Sequence, residues 1–102
     1  MLYQVTAKLK ERSAKEFLGK LRDGSIAKQR PDGGEIQKSM ESAVVQVDGR
    51  VAWNQVCFCH VPLDHERTTV FDHYFEDMVI EEISAPVDLE GKDFLQFLEN
   101  EV

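Results

Sequence analysis

The dipeptide Asp48-Gly49 constrains the fold of this chain more than any other feature, because it stands between two runs rich in β-branched residues. Asp-Gly readily adopts the backbone angles of a two-residue hairpin turn. The two runs cover residues 43–48 and 50–60. The sequence therefore predicts that these segments are antiparallel neighbours in a sheet.

Two patterns before this hairpin predict a strand and then helices. Residues 2–9 alternate apolar and polar side chains, which is typical of a strand with one wetter face. Ser13 and Glu16 have the spacing of a capping box, so a helix is predicted over residues 14–22. Asp32 is predicted to cap a second helix, which ends shortly before the hairpin.

The chain after Pro62 changes to a helical period. Asp64 is placed to cap this helix. The apolar side chains of its broad face are Val70, Phe71, Tyr74, Phe75 and Met78. Thr68 and Thr69 are poor helix formers, so a strand is the alternative for this segment. Residues 79–83 are then predicted to form the last strand.

These elements follow the order βαββαβ, which is the ferredoxin-like split pattern. The sequence therefore predicts an α+β fold with an antiparallel sheet and with helices on one face. The 102 residues are the size of one domain, and their 42% hydrophobic content is enough for a single core. Residues 1–85 are predicted to form this core, and residues 86–102 a C-terminal extension with a short helix around Phe94, Leu95 and Leu98.

The central strand is apolar on both of its sides. Val51, Trp53 and Cys57 share one side, whereas Ala52 and Val56 share the other. A sheet with helices on one face would leave an apolar patch bare, and soluble monomers rarely expose one. We therefore expect a homodimer that packs sheet to sheet, with Val51, Trp53 and Cys57 in the interface.

The opening MLYQV, the βαββαβ order and the late stretch YFEDMVIEEI resemble the small dimeric α+β barrel proteins, which include muconolactone isomerases and antibiotic-synthesis-type monooxygenases. The resemblance covers residues 1–85 as a pattern. It implies sheet-to-sheet pairing and, in some members, a pocket for a small organic molecule between sheet and helices. No catalytic motif of the family maps onto this chain, so the resemblance assigns no site residues.

The net charge of -7 and a pI near 4.9 disfavour nucleic acid and anionic membranes as partners, because both repel an acidic surface. No apolar run approaches the roughly 20 residues that a membrane span needs. The first residues do not have the pattern of a signal peptide. A cytoplasmic location is therefore expected.

Cys57 and Cys59 lie two residues apart in the predicted strand. Cα atoms at this spacing are about 6.5–7 Å apart and their side chains are near-parallel, so two free thiols are expected. With His60 and His65 they supply ligand types that zinc prefers. His60 should point to the opposite face of the strand, however, so packed thiols are predicted, and no metal and no cofactor are assigned.

The catalytic candidates are Cys59, His60, His65 and His73. A histidine can act as a general base near neutral pH, and a thiolate can act as a nucleophile. The aromatic residues predicted to line the accompanying pocket are Phe58, Phe71, Tyr74 and Phe75.

Two interpretations of function remain open. The first is a small α+β homodimer that binds a small apolar or aromatic molecule or a partner protein. The alternative is a cofactor-independent isomerase or monooxygenase-like enzyme with a histidine base in an apolar pocket. A solvent-reachable cavity that joins a titratable group to apolar walls distinguishes the two, because only the enzyme requires it.

Overall fold

Five strands and four helices make up the computed structural model, which describes residues Met1–Val102. The strands are β1 (Leu2–Leu9), β2 (Val44–Val45), β3 (Val51–Val56), β4 (Phe75–Ile83) and β5 (Lys92–Asp93). The helices are α1 (Ala14–Arg22), α2 (Gly33–Ser42), α3 and α4 (Phe94–Glu101). α3 is continuous through three segments, namely α-helical Asp64–Glu66, π-helical Arg67–Phe71 and α-helical Asp72–Tyr74. None of these helices has the length and apolar character needed to cross a bilayer.

The sheet has the strand order β4-β1-β3-β2-β5, and each neighbouring pair is antiparallel. β1, whose apolar and polar side chains alternate, lies between β3 and β4. Val5 is therefore opposite both Trp53 and Ile80. The predicted hairpin joins β2 to β3 through Gly49, which has a φ of +87°. The predictions of an α+β class and of an antiparallel sheet are confirmed.

Helices cover one face of the sheet, and aromatic side chains fill the space between them. Trp53 is fully buried in this core, with its ring centroid 5.1 Å from that of Phe71 and 5.0 Å from that of Phe75. Val51 and Cys57 belong to the same core. The prediction that Val51, Trp53 and Cys57 form a dimer interface therefore needs correction, because elements of the same chain already cover them.

The opposite face of the sheet is crossed by residues 84–91. This segment joins β4 to β5, which are the two edge strands. Val87 attaches it to β3, since its N–H donates to Asn54 Oδ1 at 3.2 Å and its carbonyl oxygen accepts from Asn54 Nδ2 at 3.0 Å. At Gly91 the segment passes so close to β2 that a Cβ would lie 2.3 Å from the carbonyl oxygen of Val45. The chain thus covers part of this face itself.

The element boundaries differ from the prediction mainly after α3. β4 begins at Phe75 rather than at residue 79, because Phe75 pairs with Leu9 of β1 and continues the sheet. β5 was not predicted. α1 has the predicted bounds, but the Ser13 side chain makes no capping hydrogen bond.

Candidate functional site

The turn between β3 and α3 positions the site. β3 ends at Val56, and Cys57 then donates its N–H to the carbonyl oxygen of Met1 at 3.0 Å. The chain turns here and enters α3 through Leu63, whose φ of +59° is a strained conformation for a residue with a branched side chain. The Leu63 side chain is fully buried and anchors the turn. Residues 57–59 are thereby held beside the first turn of α3.

Cys57, Cys59 and Glu66 form what we call the thiol–carboxylate cluster. One ligand atom from each residue, two Sγ atoms and one carboxylate oxygen, lie within 4.8 Å of one another. Cys59 Sγ donates to Glu66 Oε1 at 3.2 Å, and the Cys59 N–H donates to Cys57 Sγ at 3.3 Å. Both thiols are free, as predicted.

In the thiol–carboxylate cluster, Cys57 and Glu66 are buried and Cys59 is half-buried, and none of the three takes part in an ion pair. Glu66 is only 1% exposed. The ion pairs of the chain are Arg22–Glu99, His65–Asp32 and Arg67–Asp72. Burial, followed by the hydrogen bond to Glu66, raises the pKa of the Cys57 thiol to about 12. Two thiols and one carboxylate oxygen thus lie together in a site where no lysine or arginine pairs with Glu66.

His65 and Asp32 form a second polar pair next to this cluster. His65 Nδ1 is 2.7 Å from Asp32 Oδ2. Asp32 occupies the N-cap position of α2, as predicted, but its side chain makes no capping hydrogen bond, because the carboxylate contacts His65 instead. Its other oxygen, Oδ1, is shielded from solvent and has no hydrogen-bond partner. Asp32 therefore orients the imidazole of His65.

A cavity of about 210 Å³ joins the two polar groups. Its apolar wall consists of Pro31, Val56 and Phe58. Its polar wall consists of Asp32, Cys57, Cys59, His65 and Glu66. The His65 side chain is 41% exposed, so solvent reaches this site. The cavity thus combines titratable groups with apolar walls, the combination that an enzyme requires.

The predicted catalytic residues separate into two groups. Cys59 and His65 lie together in the wall of the cavity. His60 is exposed on the turn and does not line the cavity. His73 is exposed near the end of α3 and lines a separate cleft of about 330 Å³ beside Tyr74. The geometry therefore leaves Cys59 and His65 as the candidates at this site.

The predicted aromatic pocket does not form. Phe71, Tyr74 and Phe75 are packed into the core, where Tyr74 stacks on Phe17 with ring centroids 4.3 Å apart. Phe58, which follows the end of β3, is 85% exposed and does not belong to this core. Only Phe58 of this group lines the cavity with His65. The prediction grouped residues from a helical face and a strand, but Phe75 belongs to β4 and Phe58 follows the end of β3.

Glu66 and Asp32 were not predicted as site residues. Glu66 has a weak local signal, since it directly follows His65 at the start of a helix that comes after a Cys-x-Cys pair. Asp32 has none, because it meets His65 across 33 residues of sequence. A strand that continued through Cys59 would point His60 away from the two thiols and so disfavour a metal site. β3 ends at Val56 instead, and residues 57–59 follow the turn rather than the strand.

Comparison of this chain with protein-family models, with curated proteins and with solved structures finds no match in any of the three.

Proposed function

We propose that this chain is a small enzyme that moves a proton on a small apolar or aromatic molecule without an organic cofactor, with His65 as the general base. The observation that carries the proposal is the 2.7 Å contact between His65 Nδ1 and Asp32 Oδ2 in the wall of the cavity. A base held by a carboxylate and facing an apolar wall is the arrangement that general-base catalysis uses.

Asp32 supports this role by fixing which nitrogen of the His65 imidazole carries the proton. A carboxylate that accepts a hydrogen bond from Nδ1–H leaves Nε2 as the nitrogen with a free lone pair. Asp32 Oδ2 is in this position, and the Asp32 side chain is only 15% exposed. His65 can then accept a proton through Nε2, and the negative charge of Asp32 stabilises the imidazolium that forms.

The apolar wall and the size of the cavity restrict the substrate. Phe58, Val56 and Pro31 offer a surface for an apolar or aromatic group. The volume of about 210 Å³ is below the roughly 300–1,000 Å³ of pockets for drug-sized ligands. The substrate of the proposed reaction is therefore a small molecule with one apolar side and one acidic C–H or O–H group near His65.

The element order and the sheet order β4-β1-β3-β2 support classifying the first 83 residues as ferredoxin-like. This classification is part of the proposal, as is the likeness to small isomerases and monooxygenases. It adds no site residue, because one fold serves many functions.

We also propose a homodimer, but its basis is no longer an exposed patch around Trp53. Trp53 needs no second copy to become buried. On the face opposite the helices, Val79 is 59% exposed, but the polar residues Gln4 and Glu81 lie beside it on the same face. Light scattering at two protein concentrations tests the pairing, and a single-chain mass at both would reject it.

A deuterium-exchange assay tests the proposed reaction. The probes are small aromatic and unsaturated carbonyl compounds in D₂O, and NMR follows exchange at the carbon next to the carbonyl group. We expect exchange on at least one probe, and His65→Gln should slow it by about 10²- to 10⁴-fold, the usual contribution of a general base.

The control for this assay is His60→Gln, which changes an exposed histidine of the same turn that does not line the cavity. This variant should retain full exchange activity. Asp32→Asn should lower the rate less than His65→Gln and should change its pH profile, because Asp32 positions the base. Equal rates in His65→Gln and wild type, or no exchange on any probe, would reject the proposal.

A further inference from the structure

We infer that Cys57, Cys59 and Glu66 form a binding site for a borderline-soft divalent metal ion. Among such ions, Zn²⁺ fits these ligands best. The inference rests on the thiol–carboxylate cluster alone and does not depend on the role proposed for His65. Thiolate sulfur with one carboxylate oxygen is a donor set that Zn²⁺ accepts and that Mg²⁺ and Ca²⁺ disfavour.

The positions of the three ligand atoms fit a metal ion after small shifts. Three atoms that lie within 4.8 Å of one another all lie within about 2.8 Å of some common point. Typical bonds are about 2.3 Å for Zn–S and about 2.0–2.2 Å for Zn–O. Movements of about 0.5 Å for each sulfur and about 0.6–0.8 Å for the carboxylate oxygen therefore bring the three atoms to bonding distance, and side-chain rotation can supply them.

The contacts within the cluster are those that a metal ion would replace. Cys59 Sγ donates a hydrogen bond to Glu66 Oε1, so two prospective ligands already meet at 3.2 Å. Glu66 is buried without a lysine or arginine beside it, and a divalent cation would supply the missing positive charge. Binding of M²⁺ by the two thiols releases two protons to solvent, and the bound set of two thiolates, one carboxylate and one dication has a net charge of −1.

Only three protein ligands lie in this cluster, and the three residues line the cavity. A tetrahedral ion would then keep its fourth position for water or a ligand in the cavity. Zinc sites with three protein ligands and one open position are typical of catalysis, whereas structural zinc sites usually have four protein ligands. His65 and Asp32 line the same cavity but are not among the three ligands.

The test is a titration of the reduced, metal-free chain with Co²⁺, which reports thiolate coordination through charge-transfer absorption and tetrahedral geometry through its visible bands. We expect one Co²⁺ per chain, displaced by an equimolar amount of Zn²⁺. Native mass spectrometry of the Zn²⁺-loaded chain should show one added zinc and the loss of two protons.

Three variants and a control make the titration specific. Cys59→Ser, at a half-buried position, should weaken Co²⁺ binding by more than about 100-fold, since even the outer-shell partners of metal ligands contribute about 10- to 100-fold. Cys57→Ser and Glu66→Gln should also weaken Co²⁺ binding. His60→Gln should bind Co²⁺ as wild type does. Thermal unfolding followed by circular dichroism verifies that each variant is folded.

Two results would overturn the inference. One is wild-type chain that shows no thiolate-to-cobalt absorption with both thiols reduced. The other is folded Cys59→Ser that keeps wild-type affinity. His65→Gln separates this inference from the proposed enzymatic role, because it should slow deuterium exchange by about 10²- to 10⁴-fold. His65 is not one of the three ligands, so the same variant should leave the Co²⁺ titration unchanged.

Discussion

Replacing Trp53 with alanine tests whether this residue belongs to the core of a single chain or to a surface that a second copy covers. Trp53 is fully buried between β3, α3 and β4, and its indole Nε1–H donates to Gln55 Oε1 at 3.2 Å. Removing a buried tryptophan costs about 3–5 kcal/mol. The unpaired oxygen of Gln55, which is also fully buried, adds about 1–3 kcal/mol. We expect a loss of about 4–8 kcal/mol in the free energy of unfolding.

This loss is comparable with the whole stability of a small domain, which is about 5–15 kcal/mol. Trp53→Ala should therefore be largely unfolded or have a very low urea midpoint. Trp53→Phe retains an aromatic ring beside Phe71 and should lose less. Phe58→Ala is the matched control, because Phe58 is exposed and its truncation should change stability by no more than about 0.5 kcal/mol.

Urea unfolding followed by far-ultraviolet circular dichroism measures these differences without relying on tryptophan fluorescence. Each variant is unfolded at two protein concentrations that differ tenfold. Burial within one chain predicts that Trp53→Ala loses stability relative to wild type at both concentrations. A loss below about 1 kcal/mol in Trp53→Ala would refute the assignment of Trp53 to the core of a single chain, whereas a wild-type midpoint that rises with concentration would support the proposed homodimer.

Three further predictions concern other parts of the chain. Gly91→Ala should destabilise the fold by about 1–3 kcal/mol, because the φ of Gly91 is +156° and the added Cβ meets the Val45 carbonyl. The control is Gly19→Ala, since Gly19 lies within α1 with open space around it. This variant should be neutral or stabilising by up to about 1 kcal/mol in the same urea assay. Burial, followed by the hydrogen bond to Glu16, raises the pKa of Tyr74 to about 12. The protonated Tyr74 hydroxyl contributes its whole stabilisation below pH 10, and this stabilisation is lost as pH rises from about 10 to 12. Over that pH range, the urea midpoint should therefore fall less steeply in Tyr74→Phe than in wild type. In the metal-free folded chain, maleimide should label half-buried Cys59 faster than buried Cys57 by mass spectrometry, and equal rates would contradict the burial of Cys57.

The parts of the fold that short-range patterns encode could be predicted. α1 has the predicted bounds, and the hairpin forms where Asp48-Gly49 placed it. The start of β4 could not be predicted, because the apolar residues from Phe75 onward fit a helical face as well as a strand. The pairing of Phe75 with Leu9 makes this segment a strand. Because the two residues are far apart in sequence, no local pattern indicates that they pair.

The site could be predicted only in part, for the same reason. Cys59 and His65 were recognised by residue type and lie together. Their predicted relation to the strand was wrong, because the turn after Val56 depends on where β1 stops offering backbone partners. Asp32 satisfies the local rule for an N-cap, yet its carboxylate bonds to His65 instead of to α2. A local rule cannot reveal this competition, because the stronger partner comes from a distant segment.

Several departures from local preference occur together beside the cavity. Leu63 has a positive φ, Glu66 is a buried carboxylate without a cation, and α3 is π-helical over Arg67–Phe71. Strained backbone conformations cost about 1–3 kcal/mol each, and π-helical turns are frequent at functional sites. The neighbouring core offsets these costs through the full burial of Leu63 and Phe71. An apolar residue at position 66 would serve stability better than a buried carboxylate. The presence of Glu66 against two thiols therefore favours a chemical role at the end of β3 over a purely structural one.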